Sequence, residues 1–196
     1  VATNVVVGSG LTGNNSSISG ANNTIFGHNT GYSLDTGNNN IAVGMTVLQN
    51  LSSGSNNVAI GYTALSGVVS TDFNTAVGYS AGLLTTGTRS VYLGAYAGAY
   101  DTAGSSFYVD SYARGSQALD RAGALLYGTF NATPASQTLT INAATTISST
   151  TASTSSVTGA LIVSGGAGVA GAICSGTYFL NSVGNALTAA GTTRTD

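Results

Sequence analysis

The chain has 196 residues, among them 28 glycines and a single proline, and only 5% are charged, for a formal net charge of −2; an ordinary soluble domain is about 25% charged. This composition excludes a nucleic-acid binder, which needs a basic footprint to displace the counterions of phosphate. It also excludes a helix inserted in a membrane, because no apolar run approaches ~20 residues and the longest candidate, GALIVSGGAGVAGAI (159–173), is broken by glycines.

Lysine and glutamate are absent, so the usual exposed helix surface cannot be built. Gly, Thr, Ser, Asn and Val disfavour helix and favour turns and short strands. Disorder goes with low hydrophobicity and high net charge; here 42% of residues are hydrophobic. The expectation is an ordered, all-β chain. The first residues, VATNVVVG, carry neither an initiator Met nor a basic segment followed by an apolar core, so the chain reads as an internal fragment or a processed product without a signal peptide.

From residue 4 a motif recurs: NVVVG (4–8), NTIFG (23–27), NIAVG (40–44), NVAIG (57–61), NTAVG (74–78), SVYLG (90–94) and a degenerate SFYVD (106–110). The last positions are separated by 19, 17, 17, 17, 16 and 16 residues. A period of this size is the mark of a solenoid, in which each coil buries its core only by stacking on its neighbours. A flexible Gly/Ser linker would not keep apolar residues in register.

Two columns of the motif hold bulky residues, among them Val43, Val58, Ile60, Val77 and Leu93, and share one strand face; between them Ala42, Ala59 and Ala76 point the other way. The bulky face is expected to fill the coil and the alanine face to pack against something outside it. Asn23, Asn40, Asn57 and Asn74 suit corners and are able to ladder their amides from coil to coil. Gly27, Gly44, Gly61, Gly78 and Gly94 allow positive φ or close backbone approach. Asp110 in that column marks the expected end of the array. A further column, Thr30, Val47, Ala64, Ala81, Ala97 and Ala113, is read as the start of a second short strand. The stretches between motifs, with Asp72 and Arg89, are read as exposed loops.

Few residues point to chemistry. GAGVAG (166–171) matches a dinucleotide fingerprint in letters only: no helix pattern follows, and the next acid is Asp196. His28 and Cys174 are each the single residue of their type, which leaves one chain short of metal ligands and of a plausible Cys–His pair. His28 reads as an outward or edge residue. Asp35, Asp72 and Asp101 do not follow the repeat. No enzymatic activity and no cofactor are expected. Tyrosines cluster late in the array, and Tyr96 and Tyr100 are the candidate surface-binding residues, weighed against inter-chain packing.

NNVAIGYTAL (56–65) and NTAVGYSAG (74–82) resemble the head repeats of trimeric autotransporter adhesins, and more closely the phage tail-fibre versions of that repeat. The resemblance covers about 4–110 and implies a left-handed parallel β-roll in a homotrimer, with the Ala face at or near the contact between chains. RGSQALDRAGALLYGTFNATPASQTLTIN (114–142) is similar to the connector that follows such repeats in phage fibres, where a Y-G-x-F turn leads into a strand like LTIN. TSSVTGALIVSGGAGVAGAI (154–173) resembles a small-residue trimeric strand layer of fibres.

The expected architecture is therefore a trimeric fibre built on a parallel β-roll, or β-solenoid, of about 17-residue repeats over 1–110, a connector over 111–142 and a Ser/Thr/Gly-rich trimeric β region over 143–196. The expected function is a structural virion tail or side fibre, with other virion proteins and a host cell-surface glycan or protein as partners. The alternative is an adhesin head on a bacterial surface that binds a host surface directly.

Overall fold

The computed structural model describes residues 3–10, 18–148, 186–187 and 193–194. Two compact units divide the chain, Val1–Thr145 and Thr146–Asp196. In the second, Ala186–Leu187 pairs antiparallel with Thr193–Arg194; GAGVAG, Cys174 and the expected small-residue layer lie outside the described residues.

The first unit is a parallel β-solenoid. Each motif forms one short strand: β1 (Val5–Val7), β2 (Thr24–Phe26), β3 (Ile41–Val43), β4 (Val58–Ile60), β5 (Thr75–Val77), β6 (Val91–Leu93) and β7 (Ser106–Val109). The strands pair in sequence order, all parallel, with the motif columns in register: Val58 faces Thr75, Ala59 faces Ala76 and Ile60 faces Val77. The repeat period read from the glycines is thus the length of one coil.

The inside and outside of the coil are the reverse of the expectation. Ala42, Ala59 and Ala76 are fully buried, whereas Ile60 is 39% exposed, Val77 and Leu93 are exposed, and Val43 and Val58 are only half-buried. The bulky columns face out. The reason is that the coil is thin and is filled from its far wall by Val47, Leu48, Leu51, Leu65 and Val68. Opposite those side chains only a methyl group fits, and close-packed interiors leave no slack.

Size is traded across most coils; the Ala76 coil is the exception, where Gly82 leaves room for Leu65 and Tyr92 of the coils on either side. Ala42 and Ala59 sit in coils where Leu48 and Leu65 supply the bulk. Where the strand centre is large, glycine takes the leucine position: a Cβ on Gly31 would lie 2.9 Å from Cδ1 of Ile25, and one on Gly98 would lie 2.3 Å from Cδ1 of Tyr92. The second strand expected from Thr30, Val47, Ala64, Ala81 and Ala97 is absent. These residues are buried but lie in turns, because the residues on either side turn left-handed, as at Thr46 and Leu48 (φ 55° and 48°) and at Thr63 and Leu65 (φ 53° and 49°).

The asparagine column forms a buried ladder. The Asn57 backbone N–H and Nδ2 both donate to Asn40 Oδ1, each at 3.0 Å, and Nδ2 also donates to the Thr71 carbonyl at 2.8 Å. Asn57 Oδ1 in turn accepts the Asn74 N–H at 3.0 Å. Each amide thereby satisfies corner backbone groups that water cannot reach. The glycine column is equally constrained: Gly44 has φ 136°, and a Cβ there would lie 1.8 Å from the Gly61 carbonyl oxygen.

The array ends after Asp110, as its place in the glycine column predicts. The chain turns through α1 (Gln117–Gly123), whose cap is Ser116 with Oγ accepting the Leu119 N–H at 3.3 Å. It then returns as β8 (Leu126–Thr129), antiparallel to β7, followed by β9 (Thr138–Ile141), antiparallel to β8. The LTI of the expected strand is in β9. Tyr127 and Gly128 are not in a turn, however; both belong to β8, where Tyr127 packs at a tilt against Tyr108 with ring centroids 4.9 Å apart. Residues 111–142 thus continue and close the same nine-stranded sheet.

Candidate functional site

The broadest candidate surface is the outer face of the sheet. Because strand centres point inward, the flanking residues of every strand point outward: Val5 and Val7, Thr24 and Phe26, Ile41 and Val43, Val58 and Ile60, Thr75 and Val77, Val91 and Leu93, Phe107 and Val109. The pairing of β7 with β8 and of β8 with β9 carries the face on through Leu126, Leu139 and Ile141. No residue in these columns is charged. Phe26 is 55% exposed and Leu139 62%. A monomer rarely leaves so long a contiguous apolar strip in water.

Two hollows dent this face near the last coil. One of about 330 Å³ is lined by Val91, Phe107, Gly128, Phe130 and Leu139, among others. The second, about 350 Å³, is lined by Leu93, Gly94, Val109, Asp110, Ser111 and Leu125. Both linings are predominantly apolar. Among the described residues no three His, Cys, Asp or Glu side chains come together as metal ligands.

Round the corner from the apolar face runs a tyrosine ladder. Tyr62 and Tyr79 stack with centroids 5.2 Å apart and ring planes 13° apart, and Tyr96 continues the column 5.1 Å from Tyr79. Tyr62 and Tyr79 are 40% and 46% exposed. The stacking of Tyr62 on Tyr79 covers one face of each of these rings, whereas Tyr96 meets Tyr79 at 57°. Tyr96 belongs to the ladder, and Tyr100 is half-buried with its N–H donating to Asp120 Oδ2 at 3.2 Å. His28 is exposed, as expected of an edge residue, with Nδ1 2.9 Å from Ser9 Oγ.

The three acids that stood apart from the repeat serve separate local roles. Asp35 Oδ1 accepts from Ser19 Oγ and Asp72 Oδ1 accepts the Ser55 N–H, at 3.1 and 2.6 Å. Asp101 is fully buried at the closing end of the solenoid. Its Oδ2 accepts the Tyr92 hydroxyl at 3.0 Å, its Oδ1 accepts Gln117 Nε2 at 2.6 Å, and Arg121 approaches Oδ1 to 3.6 Å. Burial first, and then the Asp101 charge, push the Tyr92 hydroxyl far above the ordinary tyrosine range; Tyr108 is raised by the same two causes. This closing network was not foreseen from the sequence. Its signal was the clustering of Asp101, Asp110, Arg114, Asp120 and Arg121 in a chain otherwise almost free of charge.

Nothing in this cluster, or elsewhere among the described residues, brings a nucleophile, a base and an open cleft together. No family model matches the chain, and no curated protein or solved structure shows significant similarity to it.

Proposed function

We propose that this chain is a structural fibre protein: a rigid homotrimeric rod, of the kind found in virion tail or side fibres, that holds an attachment site away from its base without catalysing a reaction. The observation that carries the reading is the uncharged apolar strip along the outer sheet face. Nine strands at ~4.8 Å spacing make it about 40 Å long, which is an interface rather than a pocket. A heteromeric partner is usually selected by charge, and this strip has none to offer, so the partner it suits best is another copy of itself. The contact between chains is then made by Val43, Ile60, Val77 and Leu93 and not by the alanines, which are spent inside the coil. The fibre assignment rests on the resemblance of NNVAIGYTAL and NTAVGYSAG to tail-fibre repeats, and the likeness to adhesin heads keeps direct binding of a host surface as the second reading.

The test is a pair of outward substitutions, Ile60→Asp and Val77→Asp, in the intact chain. Both sites are on the surface of the coil, so each coil should keep its β circular-dichroism signal while the rods seen by electron microscopy disappear and the mass falls to that of one chain. Rods and mass unchanged by both substitutions would refute this role for the strip.

A further inference from the structure

The end of the solenoid is closed by a group that its surroundings leave short of hydrogen bonds. Asp120, in α1, is fully buried. Its Oδ2 accepts the Tyr100 N–H, but its Oδ1 has no partner. A buried carboxylate that keeps its charge ordinarily accepts two or three donors or pairs with a cation. The neighbouring cations lean elsewhere: Arg114 binds Asp110 and donates to the Gly123 carbonyl at 2.6 Å, and Arg121, whose Nε has no partner either, approaches Asp101 to 3.6 Å.

We propose that Asp120 is a proton-linked latch, which holds α1 and the β8–β9 hairpin on the last coil when protonated and loosens them when it ionises. An uncharged carboxyl is far cheaper to bury than a carboxylate with an orphan oxygen. The groups around it set the balance. Asp101, on the loop after β6, opposes ionisation; Arg114, before α1, and the Tyr100 N–H favour it. Arg121 on α1 itself, Tyr108 on β7 and Tyr127 on β8 complete the enclosure of the network; Asp110 is occupied by Arg114. Burial outweighs the favourable contacts and raises the Asp120 carboxyl above the ordinary range.

The sign follows from linkage. With the folded-state value raised, the contribution is fully present below the unfolded carboxylate range, about 4. It is lost as pH rises toward the folded value, at a slope of at most one decade in the closing equilibrium per pH unit. Acid therefore tightens the closing end of the solenoid and rising pH loosens it, while the ladder coils, which hold no titrating core group, stay unchanged.

Amide hydrogen exchange of the full chain at a series of pH values, corrected for intrinsic rates, tests this. Peptides from 117–129 should lose protection as pH rises from 4 to 8, peptides from 40–80 should not, and Asp120→Asn should abolish the difference. Equal pH dependence in wild type and Asp120→Asn would overturn the proposal. If Asp120→Asn does not fold, the titration of the wild-type Asp120 carboxyl followed by carbon NMR decides: a midpoint above the ordinary range supports the latch, and one at or below it overturns it.

Discussion

The repeat array and its closing end solve one problem in two ways. Both must bury backbone groups at the corners of a coil. The array does so with a neutral amide, Asn23, Asn40, Asn57 and Asn74, that repeats with the coil and passes its hydrogen bonds to the next copy. The end has no next copy. There the ladder shortens to Ser90 and Ser106, the strand centre enlarges from Ala76 to Tyr92 and Tyr108, and Asp101 accepts the Tyr92 hydroxyl while Gln117 and Arg121 meet the Asp101 carboxylate. A repeat extends cheaply because every rung supplies the partner of the one before; stopping it requires residues that occur once.

Substitutions break this contrast in order of size. Gly44→Ala should be the most damaging, because a methyl would sit 1.8 Å from the Gly61 carbonyl oxygen at a φ of 136°. A loss above about 4 kcal/mol is expected in urea unfolding. Asn57→Ala should follow at roughly 3 kcal/mol, since it orphans the Asn74 N–H and the Thr71 carbonyl at once. Circular-dichroism melting of the variant against wild type checks it; a loss below 1 kcal/mol, on the order of a surface substitution, would show that the ladder is dispensable.

The size exchange across the coil is testable by a double-mutant cycle. Gly31→Leu alone should clash with Ile25 and Ile25→Ala alone should leave a cavity, each costing about 2–4 kcal/mol. Together they recreate the Ala42–Leu48 pairing of the next coil. The pair should therefore be more stable than the sum of the singles by roughly 1–2 kcal/mol. Simple additivity would contradict the proposed filling of the coil from its far wall.

Alkali should separate the two regions. Tyr92 and Tyr108 have folded values raised by burial, so their contribution holds below the ordinary tyrosine value of about 10 and is lost as pH climbs beyond it. Near-ultraviolet absorbance in rising alkali should show Tyr92 and Tyr108 ionising only as the end of the solenoid opens, with loss of its circular-dichroism signal. The smallest effect is a gain. Phe73 stands at φ 60° in a corner column that Asn22, Asn39 and Asn56 hold before it and Arg89 and Ser105 after it, and Phe73→Asn should stabilise the chain by about 0.5 kcal/mol despite losing its contact with Arg89.

The period, the strand positions, the asparagine ladder and the stop at Asp110 were legible because each is a local backbone requirement repeated many times. The direction of the faces was not. Alternation between Val58, Ala59 and Ile60 says that two faces differ, and the usual rule sends the larger inward. It fails here because a thin coil takes its bulk from the opposite wall, from Leu48 and Leu65, which lie outside the motif. A compensating signal was present, since glycine replaces leucine where the strand centre is Ile25 or Tyr92, but Gly82 opposite Ala76 breaks the pattern, and reading it needs the pairing across and between coils. The closing network escaped for the opposite reason: it occurs once, so no repetition marks it.

The inversion carries the functional account with it, because bulky columns turned outward need a cover. Sedimentation equilibrium of the unmodified chain tests this most directly. A mass three times that of the 19.2 kDa chain is the predicted result. A mass of one chain at micromolar concentration and above would contradict it, leaving the apolar strip exposed to water.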